Sequence, residues 1–295
     1  MEGIGLETES LLAARRILYV EGIGGQVNSG EWEKLGPENR LAGFDHVFVW
    51  KRDGAFLLGK IWSSRDGKGR TQYPMIICAH CEGIPLPSAF AGALPVLEAC
   101  ESLCKETTSQ EEVHQCLTRA TERLQQSFAS TEAIPELGSC GEAAFIEAIS
   151  PAGGDEAFFR VLYRLQSQLP GGGGDWDAHP VRIRLPSAPG FETDAFLYWN
   201  HFLDEQAGGH VPILTVAPIG QSWIDALIGK PGAGDFHFLQ AAPGAVAISS
   251  EVAYGIDDEF RKKNQVVLEG MRASGGSRDG SAPRKTWISK LISPG

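Results

Sequence analysis

The sequence predicts a mixed α/β fold: a largely antiparallel sheet with an N-terminal meander, helices packed on it, and an α/β C-terminal half. Three features point to it. "FDHVFVW" and "AFLLGKIW" are apolar runs rich in aromatic and branched residues, joined by Lys51-Arg52-Asp53-Gly54. An Asp-Gly pair is a hairpin signal because Gly accepts the positive φ of a tight turn. A third strand-like run, "YPMIICAHC", follows after one loop, and segments with apolar residues at helical spacing then alternate with short apolar runs.

Taken in order, "RILYVEG" (16–22) reads as a strand, followed by a Gly-rich loop, "GIGGQVNSGEWEKLGPENR". The meander occupies 44–50, 55–62 and 73–81. Its second and third strands are joined at one end of the sheet by "SSRDGKGRTQYP" (63–74). "PVLEACESLCKE" reads as a helix with Pro in its first turn, where the missing N–H costs nothing. "SQEEVHQCLTRATERLQQSF" opens on a capping box, Ser109 to Glu112, and places Val113, Cys116, Leu117, Ala120 and Leu124 on one face. A second box, Ser139 to Glu142, opens "GEAAFIEAI"; "DEAFFRVLYRLQSQL" follows with Asp155 as its cap. The run "PGGGGDWDAHP" (170–180) stops that helix and marks a boundary.

Beyond it, "VRIRL" and "VPILTVAP" read as strands and "TDAFLYWNHFLDEQ" as a helix. "SWIDALIG" reads as a short helix, "DFHFLQAA" and "AVAIS" as strands, and "IDDEFRKKNQVVLEGM" as the last helix. The expected organisation is an α/β region at 1–170, an α/β half at 171–270 and a flexible basic tail at 271–295.

Composition narrows the function classes. The chain of 295 residues is 42% hydrophobic and 21% charged, with 26 Lys and Arg against 37 Asp and Glu for a net charge of −11. An acidic body repels nucleic acid and anionic lipid, so neither is an expected partner. No apolar run approaches the roughly 20 residues that a membrane helix needs. The opening "MEGIGLETESLL" has the wrong sign for a secretory signal, and cytoplasmic localisation is the expectation. The six cysteines then read as reduced thiols rather than a disulfide frame.

Candidate chemistry is sparse. Cys78-Ala-His80-Cys81 has redox or zinc spacing, yet it closes a strand, and Cys100, Cys104 and Cys116 fall on apolar helix positions; buried core thiols are the favoured reading. "GKPGAGDF" (229–236) misses the phosphate-loop order of Gly, Lys and Ser or Thr, and "GIGGQVNSG" misses the dinucleotide spacing. No metal-binding His helix and no nucleophile elbow occur. The loop at 63–74 concentrates Arg65, Lys68 and Arg70 on an acidic protein. It reads either as a long structured turn, with Asp66 accepting loop N–H groups and pairing with Arg70, or as a rigid loop aiming an Arg at a partner carboxylate or phosphate.

The unit "GAFLLGKIWSSRDGKGRTQYPMIICA" resembles the central motif of the TagF family, accessory proteins of bacterial type VI secretion. The matching positions are Gly59, Ser64, Asp66, Gly69, Arg70, Tyr73 and Pro74. The family's opening segment, Gly-Lys-x-Pro-x-x-Gly-Asp-Phe, is echoed by "GGQVNSGEW" through Gly25, Gly30, Glu31 and Trp32, with Gln26 in place of Lys. The resemblance implies a non-enzymatic, post-translational repressor without a cofactor. Its partner would be a protein, the forkhead-associated scaffold of the secretion machine, and the 63–74 motif would be an architectural and interaction loop. Two alternatives stand beside it. One is an enzyme with a small-molecule site between the halves, using the glycines near Gly24 and Gly232 with His80, His201 or His237; the other is a zinc-stabilised domain on Cys78 and Cys81.

Overall fold

The computed structural model describes residues 3–65, 72–107, 109–129, 141–149, 155–168, 180–207 and 209–274. Asp66, Gly69 and Arg70, the Ser139 box, the glycine run and the tail beyond 274 lie outside the described residues. In chain order, the elements are α1 (Glu9–Ala13), a wide-turned helical segment (Ala14–Ile23), α2 (Gly24–Ser29), β1 (Asp45–Arg52), β2 (Ala55–Trp62) and β3 (Met75–Glu82). Then come α3 (Leu86–Gly92), α4 (Leu94–Glu106), α5 (Gln110–Ala129), α6 (Gly141–Ile149), α7 (Asp155–Gln168), β4 (Val181–Pro186) and α8 (Glu192–Ala207). The chain continues through β5 (Ile213–Pro218), β6 (Trp223–Ile228), a 3₁₀ segment (Ala233–Gln240) and α9 (Asp258–Ser274). The class is mixed α/β, as expected.

The chain forms two compact units that interleave in sequence. The first comprises Met1–Gly138, Pro212–Ile219 and Pro231–Val246. Its strands are antiparallel in the order β3-β2-β1-β5, with β1 paired to β2 on one side and β5 on the other. The meander is therefore present. Asp53 (φ 52°) and Gly54 (φ 80°) make the expected two-residue turn between β1 and β2. Phe48, Val49, Leu57 and Leu58 are fully enclosed. Gly59 is needed where it stands: a Cβ there would collide with the Phe48 ring and come within 2.6 Å of the Ile77 carbonyl.

The 16–22 segment is a correction: it is helical, continuous with α1 and α2. The buried residues of Ala14–Ile23 are Ala14, Ile17, Leu18, Gly22 and Ile23, a helical spacing that the branched composition of "RILYV" obscures. Gly22 lies so close to the Phe236 ring that a Cβ would come within 2.5 Å of it, which ties this helix to the 3₁₀ segment. The glycines that read as a loop begin α2, and Gly30 (φ 66°) ends it in the left-handed conformation.

The second unit comprises Ser139–Val211, Gly220–Lys230 and Ala247–Gly295. Here "SWIDALIG" is strand β6 rather than a short helix. It pairs antiparallel with β4, and every residue of it is buried. The acid that spoils its apolar run, Asp225, stands opposite Arg184, so a cross-strand partner makes the strand tolerable. Back in the first unit, "DFHFLQAA" forms the 3₁₀ segment, closed at its start by the Gly232 N–H donating to Asp235 Oδ2 at 2.7 Å. "AVAIS" is a turn: the N–H groups of Ala245 and Val246 both donate to the Ala242 carbonyl. Helix α8 contributes Phe196, Trp199, Phe202 and Leu203 to the core, with Trp199 Nε1 donating to the Pro186 carbonyl at 2.8 Å.

Candidate functional site

The two segments that carry the family resemblance meet in the first unit. Ser64 follows β2 and its hydroxyl donates to the Tyr73 carbonyl at 3.0 Å, closing the two ends of the 63–74 loop on each other. Pro74 is buried directly before β3. The Tyr73 hydroxyl stands 3.5 Å from Asn28 Oδ1, inside "GGQVNSGEW". Tyr19 belongs to the same corner: burial pushes its pKa up to about 12, and the neighbouring Tyr73 adds to the rise.

The remaining residues of the resemblance divide by role. Trp32 is 4% exposed, donates Nε1 to the His237 carbonyl at 3.0 Å and meets Phe44 edge-on at 5.4 Å. It is core, fastening the turn after α2 to the 3₁₀ segment. Glu31 is a surface residue paired with Lys34 at 2.6 Å. Gly30 provides the left-handed helix end. Gln26 is 3% exposed and donates Nε2 to the Ala233 carbonyl at 3.0 Å. The buried end of Gln26, like Trp32, therefore serves the packing of one segment on another.

Between these segments lies a cleft of about 480 Å³, lined among others by Val27, Trp32, Phe44, Arg40, Arg65 and Gln240. Its edges are backbone-anchored. Leu41 N–H donates to the Gln240 carbonyl and Ala242 N–H to the Asn39 carbonyl, both at 2.8 Å. On the other side the Ser63 hydroxyl accepts from Phe44 N–H at 2.7 Å, while Ser63 N–H donates to the Phe44 carbonyl at 2.9 Å.

The other candidates are dispersed. Cys78 and Cys81 lie on β3, where burial pushes their pKa values to about 12 and about 11, so both are protonated thiols at neutral pH. Cys100, Cys104 and Cys116 are buried on α4 and α5. Hydrogen bonding from Cys100 lowers Cys104 to about 7 and raises Cys100 in return. Among the described residues no group of three or more His, Cys, Asp or Glu side chains could hold a metal ion. His80 lies on β3 and His237 in the 3₁₀ segment of the first unit, whereas His201 lies on α8 of the second, 3.5 Å from Glu205. Gly24 starts α2, and Gly232 precedes the 3₁₀ segment that α2 packs against.

No family model, no curated protein and no solved structure matches the chain.

Sequence reasoning missed Arg40 and Gln240, which line the cleft with the motif residues; Ser63 and Gln72, also on the lining, lie within the 63–74 loop that it singled out. Arg40 sits in "GPENRLAGF", a loop without any motif, and reaches the site only because its backbone pairs with Ala241, some two hundred residues later. It also missed the pairing of Lys60 with Glu101. A lysine inside an apolar strand is the signal that could have revealed it, since a buried charge demands a partner.

Proposed function

We propose that this protein is a non-enzymatic regulatory protein, a divergent relative of the TagF accessory proteins, that represses bacterial type VI secretion after translation by binding a protein of the machine. The observation that carries this reading is the meeting of the two resembling segments, 25–32 and 63–74, through Tyr73 and Asn28. Segments matched separately in sequence form one corner of one unit. The forkhead-associated scaffold is the partner this reading assigns, in the cytoplasm, without nucleic acid.

Affinity capture from a lysate of bacteria that carry the secretion machine tests it, with wild type beside a Ser64→Ala/Arg70→Ala double variant. Recovery of the scaffold by wild type, and its loss with a folded double variant, is the expected result. A folded wild type that recovers no component of the machine overturns the reading.

A further inference from the structure

We propose that the cleft between Arg40 and Arg65 binds an acidic segment of a protein partner, whose carboxylates meet the two guanidinium groups while an apolar side chain enters toward Val27, Trp32 and Phe44. This rests on the proposed function only in taking the ligand to be a protein.

Charge selects the ligand. The chain carries a net charge of −11, so its surface as a whole repels an acidic partner. The cleft is an exception, with two exposed arginines on its walls. Among the described residues neither is in an ion pair, in contrast to Arg52, Arg184 and Arg261. A guanidinium offers a planar fork of donors that matches a carboxylate with two parallel bonds, stronger and more directional than a lysine contact. Among the described residues Glu33 is the one acidic side chain lining the cleft, and it repels a carboxylate placed beside it. That repulsion favours a register in which the acids of the ligand lie at the arginines and its apolar residue lies inward.

The cleft is also held in shape. Arg40 springs from a segment bridged to Ala241, and Arg65 follows two residues after Ser63, whose hydroxyl and N–H both bond Phe44. The walls need little ordering on binding, which removes part of the entropic cost that a mobile site would carry. Trp32 and Phe44, only 4% and 8% exposed, provide a fixed apolar floor.

The test is fluorescence anisotropy with the full chain. The probe is a fluorescein-labelled dodecapeptide of alternating Glu and Leu; the control replaces every Glu by Gln. The Glu peptide is expected to bind saturably and to weaken as salt rises, with the Gln peptide at least about tenfold weaker. Arg40→Ala and Arg65→Ala should each weaken the Glu peptide by about tenfold, the scale of one lost charge-assisted contact. Arg40→Lys and Arg65→Lys, which keep charge and fold, should recover only part of that loss, and Arg52→Ala should bind as wild type does. Equal binding of the Gln peptide, unchanged binding by folded Arg40→Ala and Arg65→Ala, or binding of a phosphoserine peptide but not the Glu peptide overturns the proposal. If the scaffold is still captured from lysate in that case, the regulatory reading stands and only the cleft assignment falls.

Discussion

Among the described residues each unit buries a salt bridge, and the two are built differently. In the first unit, Lys60 of β2 meets Glu101 of α4 at 2.6 Å, and the other Glu101 oxygen takes Lys105, half-exposed, at 2.6 Å. In the second, Arg184 and Asp225 pair across β4 and β6 through two bonds of 2.8 Å, and Trp223 Nε1 adds a third donor at 3.2 Å. The Arg184 guanidinium also lies 4.7 Å from the centre of the Trp223 ring. Burial pushes Glu101 up, but the hydrogen bonds from Lys105 and Lys60 outweigh it and hold the carboxyl below the usual glutamate range. For Asp225 burial is the larger effect, and its pKa rises despite Arg184. The contrast teaches that a second cation near water can reverse the balance between pairing and desolvation.

The largest expected effect comes from breaking the sealed pair. Asp225→Ala leaves Arg184, whose side chain is fully enclosed, without its carboxylate, at a cost of about 3–5 kcal/mol. Glu101→Gln leaves Lys60 with Glu98 at 3.9 Å and should cost less, about 1.5–3 kcal/mol, the range for a hydrogen bond to a charged group. Urea denaturation of both variants at neutral pH checks the order. Equal losses would show that the second cation does not matter.

Acid titration sharpens the same contrast. The Glu101 pKa is lowered on folding, so its contribution is present above the usual glutamate range and disappears as pH falls through the folded value. The Asp225 pKa is raised, so its titration favours the folded state at low pH and that advantage is lost as pH rises through the folded value. The stability difference between wild type and Glu101→Gln should therefore shrink on acidification, while that between wild type and Asp225→Asn should grow. Calorimetric melts of the three proteins across the acid range measure both slopes; slopes of the same sign would refute the assignment.

The same two pairs explain what the sequence made legible. The meander was readable because alternating apolar strands and the Asp53-Gly54 turn are local signals. The amphipathic helices α4, α5, α7 and α9 were readable for the same reason. β6 was not: Asp225 interrupts its apolar run, and only Arg184, forty-one residues away, makes that acid acceptable in a strand. The helix at Ala14–Ile23 was hidden in a branched-residue run, and tertiary packing against Phe236 overrode the strand propensity. For the candidate site, Ser64, Tyr73 and Trp32 stood out as motif letters. The cleft did not, because Arg40 and Gln240 are joined to it by contacts made across the chain.

The smallest effect separates architecture from recognition at that cleft. Ser64 makes a neutral hydrogen bond to the Tyr73 carbonyl, so Ser64→Ala should cost only about 0.5–1.5 kcal/mol, well below either charged pair. The carbonyl it releases belongs to a half-buried residue that can turn to water, which keeps the loss near the lower end. Ser64 adjoins Arg65, however, and its bond holds the end of β2 to the start of β3. Loosening that closure frees the Arg65 backbone and raises the entropy lost when a ligand is clamped. Ser64→Ala should therefore weaken the Glu peptide more than its small change in melting temperature suggests, whereas Glu101→Gln, remote from the cleft lining, should lower stability more and leave peptide affinity unchanged. Anisotropy and melts on the two variants give the four values, and a Ser64→Ala affinity equal to wild type would confine that residue to the fold.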